Sequence, residues 1–114
     1  CIISHAEPLK AYSKDELIEG LNDNNVILGL TWTNNDESEK GSVKKMLTQL
    51  LPKYPKGVYF GGHRPVDGSY SLRQKGKFIQ IHNPRQYNVA IVNPYKPFNA
   101  DNDIVSVKTM VEDK

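Results

Sequence analysis

A single cysteine, standing first in the chain, leaves no possibility of an internal disulfide framework. Charge of one sign is not in excess either. Fifteen Lys and Arg against thirteen Asp and Glu leave a net +2, too balanced to argue for nucleic acid as a partner. Lys44-Lys45 with Lys53 and Lys56 reads as a solvated helix face. No apolar run approaches the roughly 20 residues that cross a bilayer, so no membrane partner is predicted. His5, His63, His82 and Cys1 lack paired-ligand spacing, so neither a metal nor another cofactor is predicted. No repeat, linker or low-complexity run divides the chain. These absences make a cytoplasmic setting the default and residues 1–114 a single domain.

What is present suits one ordinary core: 38% hydrophobic and 25% charged residues over 114 positions. Ser13-Lys14-Asp15-Glu16 reads as a capping box, and Leu17, Ile18 and Leu21 give the helix behind it an apolar face. That helix should end between Gly20 and Asn25. Val26 to Thr33, rich in β-formers, reads as a buried strand. Val43, Met46, Leu47, Leu50 and Leu51 repeat at helical spacing until Pro52 stops them. Strands are predicted at Val58–Phe60 running into Gly61, at Tyr70–Leu72, at the alternating Lys77–His82, and at Asn88–Val92. The stretch from Ile104 to Val111 fits a helix or a strand. Helix, strand, helix, then mostly strands describes an α+β domain or a layered α/β one.

Cys1 carries a thiol and an α-amino group on one residue. Their ordinary pKa values, roughly 8.5 and 8, let one take the other's proton near neutral pH. Nucleophiles activated by their own N-terminal amine are an established catalytic arrangement. Two other readings stand beside it: the lipid-bearing first residue of a processed lipoprotein, and the tail of a signal peptide around Ser4-His5-Ala6.

Four further stretches follow Cys1 in a definite order: Leu17-Ile18-Glu19-Gly20-Leu21, Gly61-Gly62-His63-Arg64, Ile79-Gln80-Ile81-His82-Asn83 continued by Gln86-Tyr87-Asn88, and Phe98-Asn99-Ala100-Asp101-Asn102-Asp103. In that order the chain resembles the glutaminase domain of the class II (N-terminal nucleophile) glutamine amidotransferases. That family shows a catalytic cysteine, an "LLEGL" helix, a "GHTR" strand end, a "VHNGxIxNY" turn and an "FxTDTD" segment. The resemblance implies an Ntn-hydrolase-like fold of stacked β-sheets flanked by helices, in a minimal version. It implies hydrolysis of the glutamine side-chain amide, with ammonia supplied to a synthase or acceptor partner. Cys1 would be the nucleophile and its amine the base. Asn83 would donate to the oxyanion, Arg64 would clamp the substrate carboxylate, and Asp103 would hold its ammonium.

Several positions depart from that pattern. Pro84 stands where the family has a glycine whose N–H completes the oxyanion hole, and proline has no N–H. Ile2 and Pro65 replace a glycine and a tryptophan. A catalytically degenerate glutaminase-like interaction module therefore stands as an alternative. So does a papain-like hydrolase, since Cys1, His63 and Asn83-Pro84 fall in the order Cys, His, Asn-Pro of papain- and calpain-like peptidases. Pro8, so soon after Cys1, opposes the long helix that such an enzyme places behind its cysteine. Read without any family, His63-Arg64 is a turn with a surface charge, His82 a half-buried strand residue, Asn83-Pro84 a strand terminator, and Asp101 and Asp103 a loop and helix cap. Trp32 reads as core or interface.

Overall fold

Tyr59 and Phe78 are both fully buried and stand side by side at the centre of a four-stranded sheet. The computed structural model describes residues 1–106. Its main sheet runs in the order β1 (Ile2–Ile3), β2 (Tyr59–Gly61), β4 (Phe78–Gln80), β3 (Ser71–Arg73). The strands β1, β2 and β4 are parallel, and β3 is antiparallel to β4. A second ribbon pairs β5 (Asn88–Ala90) with β6 (Ile104–Ser106), antiparallel. With four helices beside these sheets, the fold is mixed α+β.

Register decides which side chains share a face, because residues level across a ladder point the same way. Ile2, Tyr59, Phe78 and Arg73 form one row. Tyr59 and Phe78 there meet Tyr12, Val43, Met46 and Leu47 from the helical layer. Ile3, Phe60, Ile79 and Leu72 form the row on the opposite face. Phe60 and Ile79 are capped by Ile104 of the β5–β6 ribbon, while Ile3 and Leu72 at the flanks stay exposed. All three residues of β4 are buried, so the segment read as alternating is a central strand covered on both faces. Each large apolar side chain buried there contributes about 1.5–3 kcal/mol.

The helices α1 (Lys14–Glu19) and α3 (Ser42–Leu50) form where the periodicity places them. Ser13 Oγ accepts from Glu16 N–H and Glu16 accepts from Ser13 N–H, completing the capping box; a 3-10 turn, Gly20–Asn22, continues the chain. No side chain of its own N-cap residue caps α3. Its Val43 N–H is instead satisfied by the side-chain oxygen of Gln74, at 3.0 Å.

The stretch from Val26 to Thr33 is not the buried strand its composition suggests; it forms α2 (Asn24–Thr31). Two local features outweigh β propensity, which depends strongly on context. Asp23 accepts from Asn25 N–H at 2.9 Å and starts the helix. Gly29 then leaves room for Tyr12, whose hydroxyl would lie 1.7 Å from a Cβ at that position. Val26 and Leu30 pack toward the core, whereas Ile27 and Leu28 face outward, as a helical period requires.

The last helix, α4 (Ala100–Asp103), is a short turn capped by Asn99, whose side chain accepts from Asp101 and Asn102 N–H. Of the ambiguous stretch beginning at Ile104, residues 104–106 are strand, and the remainder lies outside the described residues. No helix among the described residues is long and apolar enough to cross a membrane.

Candidate functional site: a histidine-lined cleft

Three parallel strands bring their carboxyl ends to one edge of the sheet, the place where open α/β sheets bind ligands. A cleft of about 630 Å³ opens there, lined among others by Ser4, His5, Gly62, His82, Asn83 and Tyr87. Its position follows from the ladder. Gly62 N–H donates to His5 carbonyl oxygen at 2.9 Å, Ile81 N–H donates to Gly61 oxygen, and Val66 N–H donates to His82 oxygen. Gly61 must be glycine here, because a Cβ would stand 2.3 Å from the ring of Phe78.

All three histidines of the chain gather at this edge. Each stands two residues past the end of its strand: His5 after β1, His63 after β2, His82 after β4. The ring of His63 lies 5.1 Å from that of His5 and 5.6 Å, edge-on, from the indole of Trp32. Trp32 is therefore not a core residue. It is 68% exposed and walls one side of the His63 ring. His82, read as half buried, is exposed, because the strand ends before it.

The backbone at His63 is unusual. Its φ is 60°, and Arg64 N–H closes back on Gly62 oxygen at 2.6 Å, a three-residue γ-turn of the rare positive-φ form. A non-glycine residue held there is strained, and such strain tends to collect at functional sites. Burial, then the neighbouring Arg64, His5 and His82, hold the His63 imidazolium below its ordinary pKa. Its Nε2 is buried without a hydrogen-bond partner among the described residues, and so is Nε of Arg64.

Comparison with protein-family models, with curated proteins and with solved structures returns no match. The site stands on its own geometry.

Of the four residues the sequence nominates, Asn83 alone lines the cleft. Its amide is engaged at both ends: Nδ2 donates to Gly68 oxygen at 3.1 Å and Oδ1 accepts from Arg85 N–H at 2.9 Å. Asn88 donates to the same Gly68 oxygen, so the two asparagines pin the loop that follows β2. Arg64, one residue past His63 and two past the lining residue Gly62, is not itself in the lining. Asp103 closes the β5–β6 ribbon, its carboxylate accepting from Asn99 N–H at 2.8 Å and its carbonyl from Ile91 N–H at 2.7 Å. Cys1 is exposed and is not in the lining. Ile2 is level with Tyr59, which puts Cys1 level with Val58. From there to Ile3 and Phe60, the first lining residues along these strands, is two residues, about 7 Å of extended chain.

Sequence reasoning missed His5, Trp32 and His82 as site residues. The pattern that reveals them is positional, a histidine just beyond the end of each of three apolar strands. It becomes readable only once those strands are known to be parallel and adjacent. Among the described residues no group of three or more His, Cys, Asp or Glu is placed to hold a metal ion.

Proposed function

We propose that this chain is a small-molecule-binding module whose ligand occupies the carboxyl-edge cleft, and that Cys1 takes no part in the site. The observation that carries this reading is the lining of the cleft, which includes Ser4, His5, His82 and Asn83 but not Cys1. Hydrolysis of glutamine by Cys1, with ammonia passed to a synthase partner, needs the sulfur, Arg64, Asn83 and Asp103 in a single pocket. Asn83 and Asp103 are instead engaged in shaping turns. The stacking of the β5–β6 ribbon on the main sheet supports an Ntn-hydrolase-like descent as the finer description of the fold, with the glutaminase chemistry lost.

Two measurements test the proposal. An amide-correlated NMR screen of small polar fragments is expected to shift His5, Gly62 and His82 together. Incubation with diazo-oxo-norleucine, a glutamine-analogue alkylator, is expected to leave Cys1 unlabelled, with no ammonia released from glutamine. Stoichiometric labelling of Cys1 together with ammonia release that disappears in Cys1→Ala would overturn the proposal in favour of the glutaminase.

A second reading, a Cys/His/Asn hydrolase, is favoured by the buried, unpartnered Nε2 of His63 at the same sheet edge as Asn83. Such an enzyme needs a thiol within hydrogen-bond reach of that nitrogen. The chain's one thiol is that of Cys1, so labelling by a peptidyl epoxide distinguishes this reading from the first.

A further inference from the structure

Ring packing, with no hydrogen bond at Nε2, is what holds the His63 side chain in place. The ring meets that of His5 at 5.1 Å and the indole of Trp32 at 5.6 Å, and its Nε2 is buried without a partner among the described residues. The backbone beneath it is strained, at φ 60°, with Arg64 N–H closed on Gly62 oxygen at 2.6 Å. A strained turn persists only while its surroundings over-determine it. Here those surroundings are two rings, one from the end of β1 and one from the end of α2.

The same surroundings accept a neutral ring and penalise a charged one. The titratable or charged groups that act on His63 are Arg64 of its own turn, His5 from the end of β1 and His82 from the end of β4. The helix α2, which reaches the ring through Trp32, contains no charged residue. None of the described ion pairs lies at this turn. An imidazolium at His63 therefore carries a buried Nε2 donor with neither an acceptor nor an anion beside it. Arg64, on the adjoining position, stays cationic throughout the ordinary pH range. Burial and these neighbours accordingly hold the ring below its ordinary pKa.

We propose that this turn is a proton-operated latch: the neutral His63 ring, seated against His5 and Trp32, holds the segment after β2 on the sheet edge, and protonation releases it. The strain favours release, because a residue freed from φ 60° returns to an ordinary backbone conformation. The pairing of Tyr59 and Phe60 with Phe78 and Ile79 lies behind the turn and stays formed, so the opening is local. His5 and Gly62 both line the cleft, so the latch also sets the shape of that wall. It operates in the chain by itself, with or without a ligand in the cleft.

Trp32 is the chain's one tryptophan and reports on the latch directly. Its emission, followed from about pH 8 to about pH 5, is expected to change with a midpoint below about 6.5 while far-UV circular dichroism stays constant. Quenching by an imidazolium changes emission without motion, so amide hydrogen exchange is measured beside it. Gly62 N–H, which donates to His5 oxygen at 2.9 Å, is expected to lose protection on the acid side, whereas Tyr59 N–H, bonded to Lys77 oxygen, keeps it. After correction for intrinsic exchange, the fall at Gly62 should be about tenfold or more. His63→Asn removes the proton site and keeps a residue that tolerates positive φ, and it should abolish both responses. Arg64→Gln removes the adjoining cation, so the midpoint should move up; this variant keeps the latch testable if the His63 variant fails to fold.

A flat emission profile, a response that survives His63→Asn, a midpoint unmoved in Arg64→Gln, or unchanged protection at Gly62 overturns the latch. Loss of the far-UV signal over the same range overturns it too, because the transition would then be global unfolding.

Discussion

The imidazoles of His5 and His63 pack ring to ring at 5.1 Å, although their positions lie 58 apart in sequence. Parallel pairing of β1 with β2 makes the contact unavoidable, because both histidines follow strands that end at the same edge. Two groups that can each become cationic are thereby held together with Arg64 and His82 nearby.

That crowding has a consequence for stability. Burial, with Arg64, His5 and His82 after it, lowers the His63 pKa below its unfolded value of about 6.5. The unfolded chain then takes up this proton before the folded chain does. The stabilising contribution is complete above about pH 6.5 and is lost as pH falls toward the folded value. Urea midpoints measured across this range should decline on the acid side, and His63→Gln should flatten the decline. An equal slope in the variant would contradict the assignment.

Cys1 is exposed and is not among the residues that line the cleft. Cys1→Ser should leave stability within about 0.5 kcal/mol, as for surface changes generally, and should leave fragment binding unaltered. Loss of binding in that variant would return the thiol to the site.

Gly29→Ala should destabilise even though alanine is the better helix former. The helix gains about 1 kcal/mol from propensity. The new Cβ, however, would stand 1.7 Å from the Tyr12 hydroxyl and 2.9 Å from its ring carbon Cζ, and Tyr12 is buried. Overpacking of this kind typically costs about 1–3 kcal/mol, so the net effect should be destabilising. A higher melting temperature for Gly29→Ala would show that Tyr12 can move aside.

How much of this was legible in the sequence depends on range. The capping box at Ser13–Glu16 and the stripe through Val43, Met46 and Leu47 are local patterns, and they appear where the residues place them. The run Val26–Thr33 was misread because its β-formers dominate the composition, while the deciding features were a one-residue cap at Asp23 and a space beside Tyr12. The cap is visible in sequence; the space is tertiary. The nominated site likewise depends on tertiary placement. Gly61-Gly62-His63-Arg64 and Asn83 were correctly singled out as strand ends, and they share an edge. Where Cys1 lies relative to them depends on the pairing of Ile2 with Tyr59, which no motif encodes.

A buried polar network ties the sheet to the helices and gives a separate test. Arg73 Nε meets Glu7 at 2.7 Å, Gln74 Nε2 bridges Glu7 and Ser42, and Gln74 Oε1 caps α3. The Glu7 side chain is only 4% exposed. Arg73→Met strands that carboxylate without its cation and should cost about 3 kcal/mol, read from chemical denaturation. A cost near zero would mean that Gln74 alone satisfies Glu7.

The most direct measurement is an amide-correlated NMR titration of the chain with small polar fragments, followed at His5, Gly62 and His82 of the cleft lining and at Tyr54 as a control. A ligand-binding cleft predicts that the three lining amides shift together and saturate while Tyr54 does not respond. Fragments that leave all three unmoved would contradict it.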